Sequence, residues 1–293
     1  MLTPEQKNHF DTFGFVILRD LFSPNEVKTI RAEFDGAAER ASEFEPFDGT
    51  KMHYFRMMGS ETPFYTTLPE DPRFYGVAEQ LYGEKAFAFE SNAYRYVGNT
   101  RWHYNDGSSN YHGYGIKFQF GLQTVTADTG GLRFIPGSHK PTFQDHLVEM
   151  SPLGRRYYNT QQAWDDIDKV PCYPAEYGPR DVVAFDLRIF HATWGGSNDR
   201  QMSCVSFFHY PETQKEKETM RHIAPSYVNT KPAGGVPNWN DGIKEQWIAN
   251  VEGSAKRQQW IDSMKEVSEI TQSETGMRLI ADDYGMTKVT PVN

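Results

Sequence analysis

A long block of the chain, from about residue 86 to about residue 211, consists of short apolar runs separated by Gly, Pro and Asn. Runs of four to seven residues that are rich in β-branched and aromatic side chains and bounded by turn residues are typical of strands. The best candidates are Ala86–Glu90, Ala93–Val97, Ile116–Leu122, Leu132–Ile135, Val182–Phe185 and Cys204–Phe208. So many short strands in one block predict an antiparallel sandwich or barrel rather than βαβ units.

Helical patterns flank this block on both sides. Thr3 predicts the N-cap of a first helix, which is followed by a short strand over 14–19. Ser23 predicts the N-cap of a second helix that runs to about Arg40. The chain after the strand block is charged and irregular before it regains helical character.

We therefore expect a single domain over residues 1–293, mainly β with flanking helices. Its strand core spans about 86–211, its N-terminal helices lie within 3–85, and a helical tail covers 241–285. No internal repeat or linker-like Ser/Gly run divides the chain.

Charge and hydropathy exclude several classes of function. With 30 Lys and Arg against 39 Asp and Glu, the net charge is −9, and the cations do not cluster, which argues against nucleic-acid binding. Mean hydropathy is −0.68 and no run approaches the roughly 20 apolar residues of a membrane span. The first residues are polar and show no secretory signal, so we expect a cytoplasmic protein. Two cysteines, Cys172 and Cys204, do not make a disulfide framework.

The segment around His103 carries the clearest chemical signal. His103 stands at the end of a predicted strand and is followed by Asn105 and Asp106. His191 ends the run 181–190, which reads as a strand antiparallel to the first within one sheet. Two imidazoles and one carboxylate on one face of a metal ion leave open positions, which is the arrangement of non-haem Fe(II) oxygenases. His103, His191 and a nearby carboxylate are therefore the candidate metal ligands and catalytic residues.

Arg200 follows His191 by nine residues, on the next predicted strand. Its planar guanidinium is suited to bidentate, charge-assisted binding of a carboxylate. Arg200 is therefore the candidate anion-binding residue.

The order of these residues resembles that of the phytanoyl-CoA dioxygenase family of Fe(II)- and 2-oxoglutarate-dependent oxygenases. The most specific piece is Gly130-Gly-Leu-Arg-Phe-Ile-Pro-Gly-Ser-His139, because members share a Gly-x-Leu-x-x-x-Pro-Gly-Ser-His stretch between the two metal-binding strands. An N-terminal helix followed by Gly14-Phe-Val-Ile-Leu is also typical of the family. The resemblance covers roughly residues 3–211.

This resemblance implies a double-stranded β-helix, the jelly-roll or cupin-like fold. It implies that His103 and His191 bind iron and that Arg200 binds the distal carboxylate of 2-oxoglutarate. It also suggests that Thr193 helps to hold that carboxylate. The implied cofactors are Fe(II), 2-oxoglutarate as cosubstrate, and O2.

The chain departs from the family pattern at the third ligand, where the family has His-x-Asp and this sequence has Asn105 followed by Asp106. Either Asn105 replaces the carboxylate, or a β-bulge brings Asp106 into the ligand position. We favour Asp106, because an anionic ligand holds Fe(II) better than a neutral amide. If no carboxylate binds, the open position would accommodate halide, as in related halogenases.

Several other residues each allow a functional and a structural interpretation. Lys117 and Gln119 alternate along one strand and face one side, where they contact either 2-oxoglutarate or substrate, or else solvent. His139 is expected to cap a turn rather than bind metal. Arg95 pairs either with a substrate carboxylate or with a neighbouring acid. The segment 52–58, outside the predicted sheet, either walls a pocket or fills the core.

The leading hypothesis is a dioxygenase that hydroxylates an unactivated C–H bond of a small organic substrate, with release of succinate and CO2. The alternatives are a halogenase or desaturase on the same scaffold, or a catalytically inactive jelly-roll binding protein. We expect a small-molecule substrate, no nucleic-acid or membrane partner, and a homodimer as the candidate assembly.

Overall fold

The computed structural model describes residues 1–104, 115–150, 170–214, 216, 247, 253–263, 266, 277–281 and 287–291. Its α-helices are α1 (Pro4–Phe13), α2 (Pro24–Ser42), α3 (Pro63–Thr67), α4 (Pro72–Tyr82) and α5 (Pro141–Met150). Its first strands are β1 (Phe15–Leu18), β2 (His53–Arg56), β3 (Phe87–Tyr96), β4 (Thr100–His103), β5 (Gly115–Gly121) and β6 (Leu132–Phe134). The remaining strands are β7 (Tyr173–Ala175), β8 (Val182–Asp186), β9 (His191–Thr193), β10 (Arg200–Phe208), β11 (Met277–Ala281) and β12 (Thr287–Pro291).

Two antiparallel sheets form the body of the fold. The larger sheet has six strands in the order β1-β8-β5-β10-β3-β2, and the smaller has four in the order β4-β9-β6-β7. Residues of the two sheets pack together in a cluster that includes Phe15, Phe134 and Phe185, so the sheets face each other as a sandwich. The prediction of a mainly β jelly-roll with flanking helices is confirmed.

The predicted caps place the first two helices. Thr3 and Gln6 form a reciprocal capping box at the start of α1, and Ser23 and Glu26 form another at the start of α2. Each box satisfies backbone N–H groups that a helix N-terminus leaves unpaired.

The helices α2 and α4 cover the outer face of the six-stranded sheet. Phe34 of α2 and Phe74 of α4 belong to the same buried cluster as Phe118 and Phe207 of the sheet. Because neighbouring residues of a strand point to opposite faces, Lys117 and Gln119 of β5 then face the four-stranded sheet. The helical layer thus determines which side chains of the large sheet enter the interior.

The helix α5 covers the outer face of the smaller sheet, where Leu147 packs in a buried cluster with Trp102, Ile135 and Phe190. Each sheet therefore has one face on the shared interior and one face under helix. The described part of the chain contains no helix long and apolar enough to cross a membrane.

The strand prediction for His191 was wrong in one respect. The strand β8 ends at Asp186, and His191 begins a separate strand, β9, in the other sheet. The Asp186 carboxylate accepts a hydrogen bond from the Arg188 backbone N–H at 2.8 Å, and the Ile189 N–H donates to the Asp186 carbonyl at 3.1 Å. These bonds close a turn that carries the chain from one sheet to the other.

The segment 52–58 was also misplaced, because residues 53–56 form β2 at the edge of the larger sheet. Met57 and Met58 are buried in the core under the helices. An edge strand of four residues has too little periodicity to be recognised from sequence.

The expected helical tail is helical at residues 255–263, but β11 and β12 pair as an antiparallel hairpin within and beyond the expected range 241–285. The β-branched Thr287, Val289 and Thr290 favour extended backbone.

Candidate metal and cosubstrate site

His103 and His191 lie side by side on neighbouring strands of the smaller sheet. The two residues are register partners in the β4–β9 pair. Their ring centroids are 4.2 Å apart, with the ring planes tilted by 47°. The structure therefore brings the two predicted imidazole ligands together.

Both rings are oriented by the same backbone contact. The Nδ1 atom of His103 lies 2.7 Å from the Arg101 carbonyl oxygen, and that of His191 lies 2.9 Å from the Ile189 carbonyl oxygen. Since a carbonyl only accepts, each Nδ1 carries the proton and donates it. Each Nε2 is then left with its lone pair, which is the tautomer that binds a metal ion through Nε2.

Burial keeps these imidazoles neutral. It lowers the pKa of His103, and it lowers the pKa of His191 well below the usual value, with the charge of His103 acting in the same direction. A protonated imidazole cannot coordinate a metal ion. Two buried neutral rings with fixed tautomers therefore fit a metal centre.

The predicted third ligand is outside the described residues, since both Asn105 and Asp106 fall in the segment 105–114. Within the described ranges, no group of three or more His, Cys, Asp or Glu side chains surrounds a common point. Of the three candidate metal ligands, the described residues thus include the two imidazoles.

Arg200 is the most deeply buried cation of the described interior, with 1% of its surface exposed. It begins β10, and its guanidinium carbon lies 4.9 Å from the centre of the Tyr96 ring. No described carboxylate forms an ion pair with it, and burial lowers its pKa. A buried charge without a counter-ion is costly, so the site fits an anionic ligand such as the carboxylate of 2-oxoglutarate.

Two glycines, which have no side chain, leave the space that the Arg200 guanidinium occupies. A Cβ atom at Gly196 would stand 2.2 Å from the Arg200 Nη1 atom, and one at Gly130 would stand closer still. Gly130 also has a φ of +87°, which L side chains rarely adopt. The first glycine of the Gly130-Gly-Leu motif therefore has a direct steric function beside Arg200.

Thr193 is hydrogen-bonded to the Arg200 guanidinium. Its Oγ1 accepts from Arg200 Nη2 at 3.2 Å and from the Thr100 backbone N–H at 2.8 Å. The same hydroxyl donates to Thr100 Oγ1 at 2.8 Å. With its donor and both lone pairs engaged, Thr193 acts in this arrangement as a support for the guanidinium.

Lys117 and Gln119 both face the interior, opposite Phe185 and Val183 of β8. The Gln119 amide Nε2 donates to the Tyr177 Oη at 3.2 Å. The Lys117 ammonium has no hydrogen bond or ion pair with any described residue. Its positive charge lowers the pKa of both His103 and His191, in addition to the effect of burial, so Lys117 lies beside the imidazole pair.

Tyr177 is a residue that the sequence did not single out. It is 2% exposed, and the charges of Tyr177 and Arg200 influence each other's pKa. Burial raises the pKa of Tyr177, so the phenol stays protonated and can donate to an anion beside Arg200. Its neighbours Glu176 and Gly178 form no recognised motif, and the isolated bridge with Val125 fixes the backbone of Tyr177 at this position.

The two remaining candidates, His139 and Arg95, form contacts with other parts of the protein. His139 is buried near α1, with Nε2 at 3.3 Å from the Asp11 carbonyl oxygen. Arg95 makes a bidentate ion pair with Asp199, at 2.9 Å and 2.6 Å. The second of the two readings for Arg95, a neighbouring acid, is the one that the structure contains.

The family described as phytanoyl-CoA dioxygenase (PhyH) matches residues 10–202 of this chain. Ectoine dioxygenase of Bordetella bronchiseptica is 28% identical over 158 residues, which are 47% of this chain and 50% of that protein. The match thus spans about half the length of this curated relative.

Solved structures share the fold. HygX from Streptomyces hygroscopicus, with nickel and 2-oxoglutarate bound, superposes with a TM-score of 0.56 at 19% identity, over 71% of this chain and 87% of that one. The carbocyclase SnoK from nogalamycin biosynthesis has the same TM-score and identity, over 72% and 85%. EctD from S. alaskensis, with 2-oxoglutarate and 5-hydroxyectoine, has a TM-score of 0.52 at 18% identity, over 71% and 77%.

Proposed function

The chain belongs to the phytanoyl-CoA dioxygenase family, and on that premise we propose that it is an Fe(II)- and 2-oxoglutarate-dependent oxygenase that hydroxylates an unactivated C–H bond of a small organic substrate. The observation that carries this proposal is the imidazole pair. His103 and His191 are register partners, and each donates its Nδ1 proton to a backbone carbonyl and keeps an Nε2 lone pair. Such a pair is preorganised for a metal ion.

The protein's contribution is to hold and orient the reactants. His103, His191 and Asp106 are the proposed metal ligands, with Asn105 as the alternative to Asp106. Bound Fe(II), together with 2-oxoglutarate and O2, supplies the oxidation, and succinate and CO2 are the co-products. The apolar cluster beside the pair, which includes Phe134 and Phe185, keeps water from that side of the site.

Arg200 is proposed to bind the distal carboxylate of 2-oxoglutarate. A buried guanidinium with no described carboxylate partner gains a counter-ion when this dianion binds. Thr193 supports the guanidinium, while Gln119 orients Tyr177 at the same pocket. Lys117, which has no described partner, is proposed to bind the cosubstrate end nearer to the metal.

The test is an anaerobic titration of the apoprotein with Fe(II) and 2-oxoglutarate, following the visible metal-to-ligand charge-transfer band. Wild type is expected to develop the band, and His191→Ala and Arg200→Leu are expected to lose it. His139→Ala, which removes a buried imidazole near α1, is the control and is expected to retain it. Failure of wild type to develop the band would overturn the enzyme proposal in favour of a binding protein.

The same titration addresses the third ligand. Loss of iron affinity in Asp106→Ala alone supports a carboxylate ligand and the hydroxylase proposal. If Asn105→Ala loses affinity instead, or if neither variant does, a site without a carboxylate and a halogenase outcome gain support.

A further inference from the structure

The interior between the two sheets has an apolar half and a polar half. At the β1–β8 side, Phe15 and Phe134 stack with centroids 4.6 Å apart in a closely packed cluster. At the β2–β3–β10 side, the strand register turns polar side chains to the same interior. These are Tyr54, Arg56, Glu90, Asn92, Tyr94 and Ser206.

Side-chain contacts, as well as the strand register, indicate that these residues point to the interior between the sheets. Ser206 Oγ donates to Glu90 Oε1 at 3.1 Å, and Tyr54 Oη donates to Asn92 Oδ1 at 2.6 Å. Ala93, which lies between Asn92 and Tyr94, belongs to the core under the helices. Since alternate residues of a strand share a face, Glu90 and Asn92 both point away from that core.

Asn92 has a hydrogen-bond donor that nothing in the described protein satisfies. The residue is 0% exposed, and its Nδ2 atom has no partner. A buried donor without a partner loses the hydrogen bond that it would make to water in the unfolded chain. An oxygen atom of a bound ligand would replace that bond.

Glu90 has a carboxylate without a counter-ion. Its hydrogen bond comes from Ser206, and no Lys or Arg among the described residues forms an ion pair with it. Arg56 of the neighbouring strand β2 faces the same interior, and no ion pair joins it to Glu90 among the described contacts. The half-buried Glu90 therefore presents negative charge to the interior.

Aromatic rings stand beside this carboxylate. Tyr54 and Tyr94 pack edge to face with centroids 5.2 Å apart. Burial raises the pKa of both phenols, and the negative charge of Glu90 raises it further. A carboxylate beside neutral aromatic rings is a favourable environment for an organic cation.

A row of paired residues across the larger sheet connects Glu90 with the neighbourhood of the imidazole pair. Glu90, Ser206 and Lys117 stand opposite one another in one row across β3, β10 and β5. Two strand spacings separate the first from the last, about 10 Å between Cα atoms. Phe185 comes next in this row, and its ring centroid lies 5.0 Å from that of His191.

The cosubstrate is a poor occupant for this position. 2-Oxoglutarate is a dianion, which the Glu90 carboxylate would repel. Glu90 lies six residues from Tyr96, which is the register partner of Arg200, so that the two ends of β3 are roughly 20 Å apart. The Glu90 end of the interior is thus left for the substrate.

We propose that Glu90 and Asn92 form the substrate-recognition subsite, and that the substrate is a small molecule with a protonated amino group and an oxygen atom close to it. Glu90 accepts hydrogen bonds from the ammonium, and the Nδ2 of Asn92 donates to the oxygen. The inference rests on the proposed function, because it assigns the remaining interior to the substrate of that reaction.

The experiment uses the full chain loaded with Zn(II) and 2-oxoglutarate, and three probes of equal carbon number, n-butylammonium, 1-butanol and butyrate. Binding is measured by saturation-transfer difference NMR. We expect n-butylammonium to bind wild type at least tenfold more tightly than either other probe. Equal binding of the three probes, or absence of n-butylammonium binding, would overturn the proposal.

Variants locate the probe. Glu90→Gln is expected to weaken n-butylammonium binding at least tenfold, whereas Glu84→Gln, which removes the same charge from an exposed neighbouring position, is expected to have no effect. Asn92→Asp places a second carboxylate beside Glu90 and is expected to tighten n-butylammonium several-fold, a gain that misfolding cannot imitate. Unchanged binding in both Glu90→Gln and Asn92→Asp would show that the subsite lies elsewhere.

The charge-transfer titration separates this proposal from the function on which it rests. Glu90→Gln is expected to develop the same Fe(II)–2-oxoglutarate band as wild type. If wild type gives no band, the oxygenase proposal fails, whatever the amine does. If the band forms but n-butylammonium does not bind, only the substrate class is wrong.

Discussion

Gly130 lies so close to Arg200 that a Cβ atom at position 130 would stand 2.1 Å from the Nη1 atom of the guanidinium. No real Cβ approaches another atom to that distance, so any side chain here displaces the arginine. The backbone at Gly130 also has a positive φ of +87°. The lack of space beside the Arg200 guanidinium and the positive φ therefore both favour glycine at position 130.

Gly130→Ala is accordingly expected to weaken 2-oxoglutarate binding at least tenfold and to destabilise the fold by about 1–3 kcal/mol. Affinity is measured from the charge-transfer titration, and stability from urea unfolding. The matched control is Gly83→Ala, because Gly83 has a φ of +89° and open space around a Cβ. That variant is expected to lose stability but not 2-oxoglutarate affinity; equal affinities in the two variants would contradict the steric argument.

Thr193→Val is expected to weaken 2-oxoglutarate binding, because the guanidinium loses the hydroxyl that accepts from Nη2. A hydrogen bond to a charged group contributes about 1.5–3 kcal/mol, so a loss of roughly tenfold or more is expected in affinity. Thr193→Ser keeps the hydroxyl and serves as the rescue control. A Ser variant as weak as the Val variant would indicate that the methyl group matters instead.

Cys204 is expected to be unreactive in the folded protein. It is 1% exposed, and burial raises the pKa of its thiol to about 11. Since the thiolate is the reactive form, titration with a thiol reagent at pH 8 should detect Cys172, which is partly exposed, before Cys204. A Cys172→Ser variant should show no fast-reacting thiol, and both thiols of wild type should react in urea. Fast reaction of the Cys172→Ser protein would contradict the buried position of Cys204.

The ion pair between Glu26 and Arg73 is expected to make stability depend on pH. The hydrogen bond from Arg73 lowers the pKa of Glu26 to about 2, against about 4.3 in the unfolded chain. Because the folded state holds the carboxylate more strongly, this stabilisation is present above about pH 4.3 and is lost as the pH falls towards 2.

Glu26→Gln is therefore expected to lower the free energy of unfolding by about 1–2 kcal/mol at pH 7, after allowance for partial solvent screening. The difference from wild type should shrink between pH 4 and pH 2, as urea unfolding at several pH values would measure. Gln at this position can keep the capping box with Ser23, so the change isolates the charge. Glu43→Gln, which removes the same charge at an exposed position, is the control and should change the free energy of unfolding at pH 7 by less than Glu26→Gln does.

Local patterns in the sequence carry much of the fold. The caps at Thr3 and Ser23 define where α1 and α2 begin, and the short apolar runs define β5, β8 and β10. These features depend on residues a few positions apart, so a single sequence reveals them. The strand β2 was missed because four edge residues leave no periodic signal, and its place is set by its pairing with β3.

The residues of the candidate site likewise fall into two groups, those that the sequence indicates and those that only the structure shows. Spacing and the family motif point to His103, His191 and Arg200. Tyr177 reaches the Arg200 pocket through a pairing with Val125, more than 50 positions away in the chain, and nothing in its local sequence indicates that contact.

By itself, the sequence determined the fold class, the family and the residue types of a metal and carboxylate site, because periodicity, capping and motif spacing are local properties of the chain. Only the tertiary structure decided that Thr193 supports Arg200, that Gly130 and Gly196 make its room, and that Glu90 and Asn92 share the remaining interior. Those relations arise where strands distant in sequence pair and two sheets face each other. Hydrogen-bond partners and unpaired charges exist only once that packing has brought the side chains together.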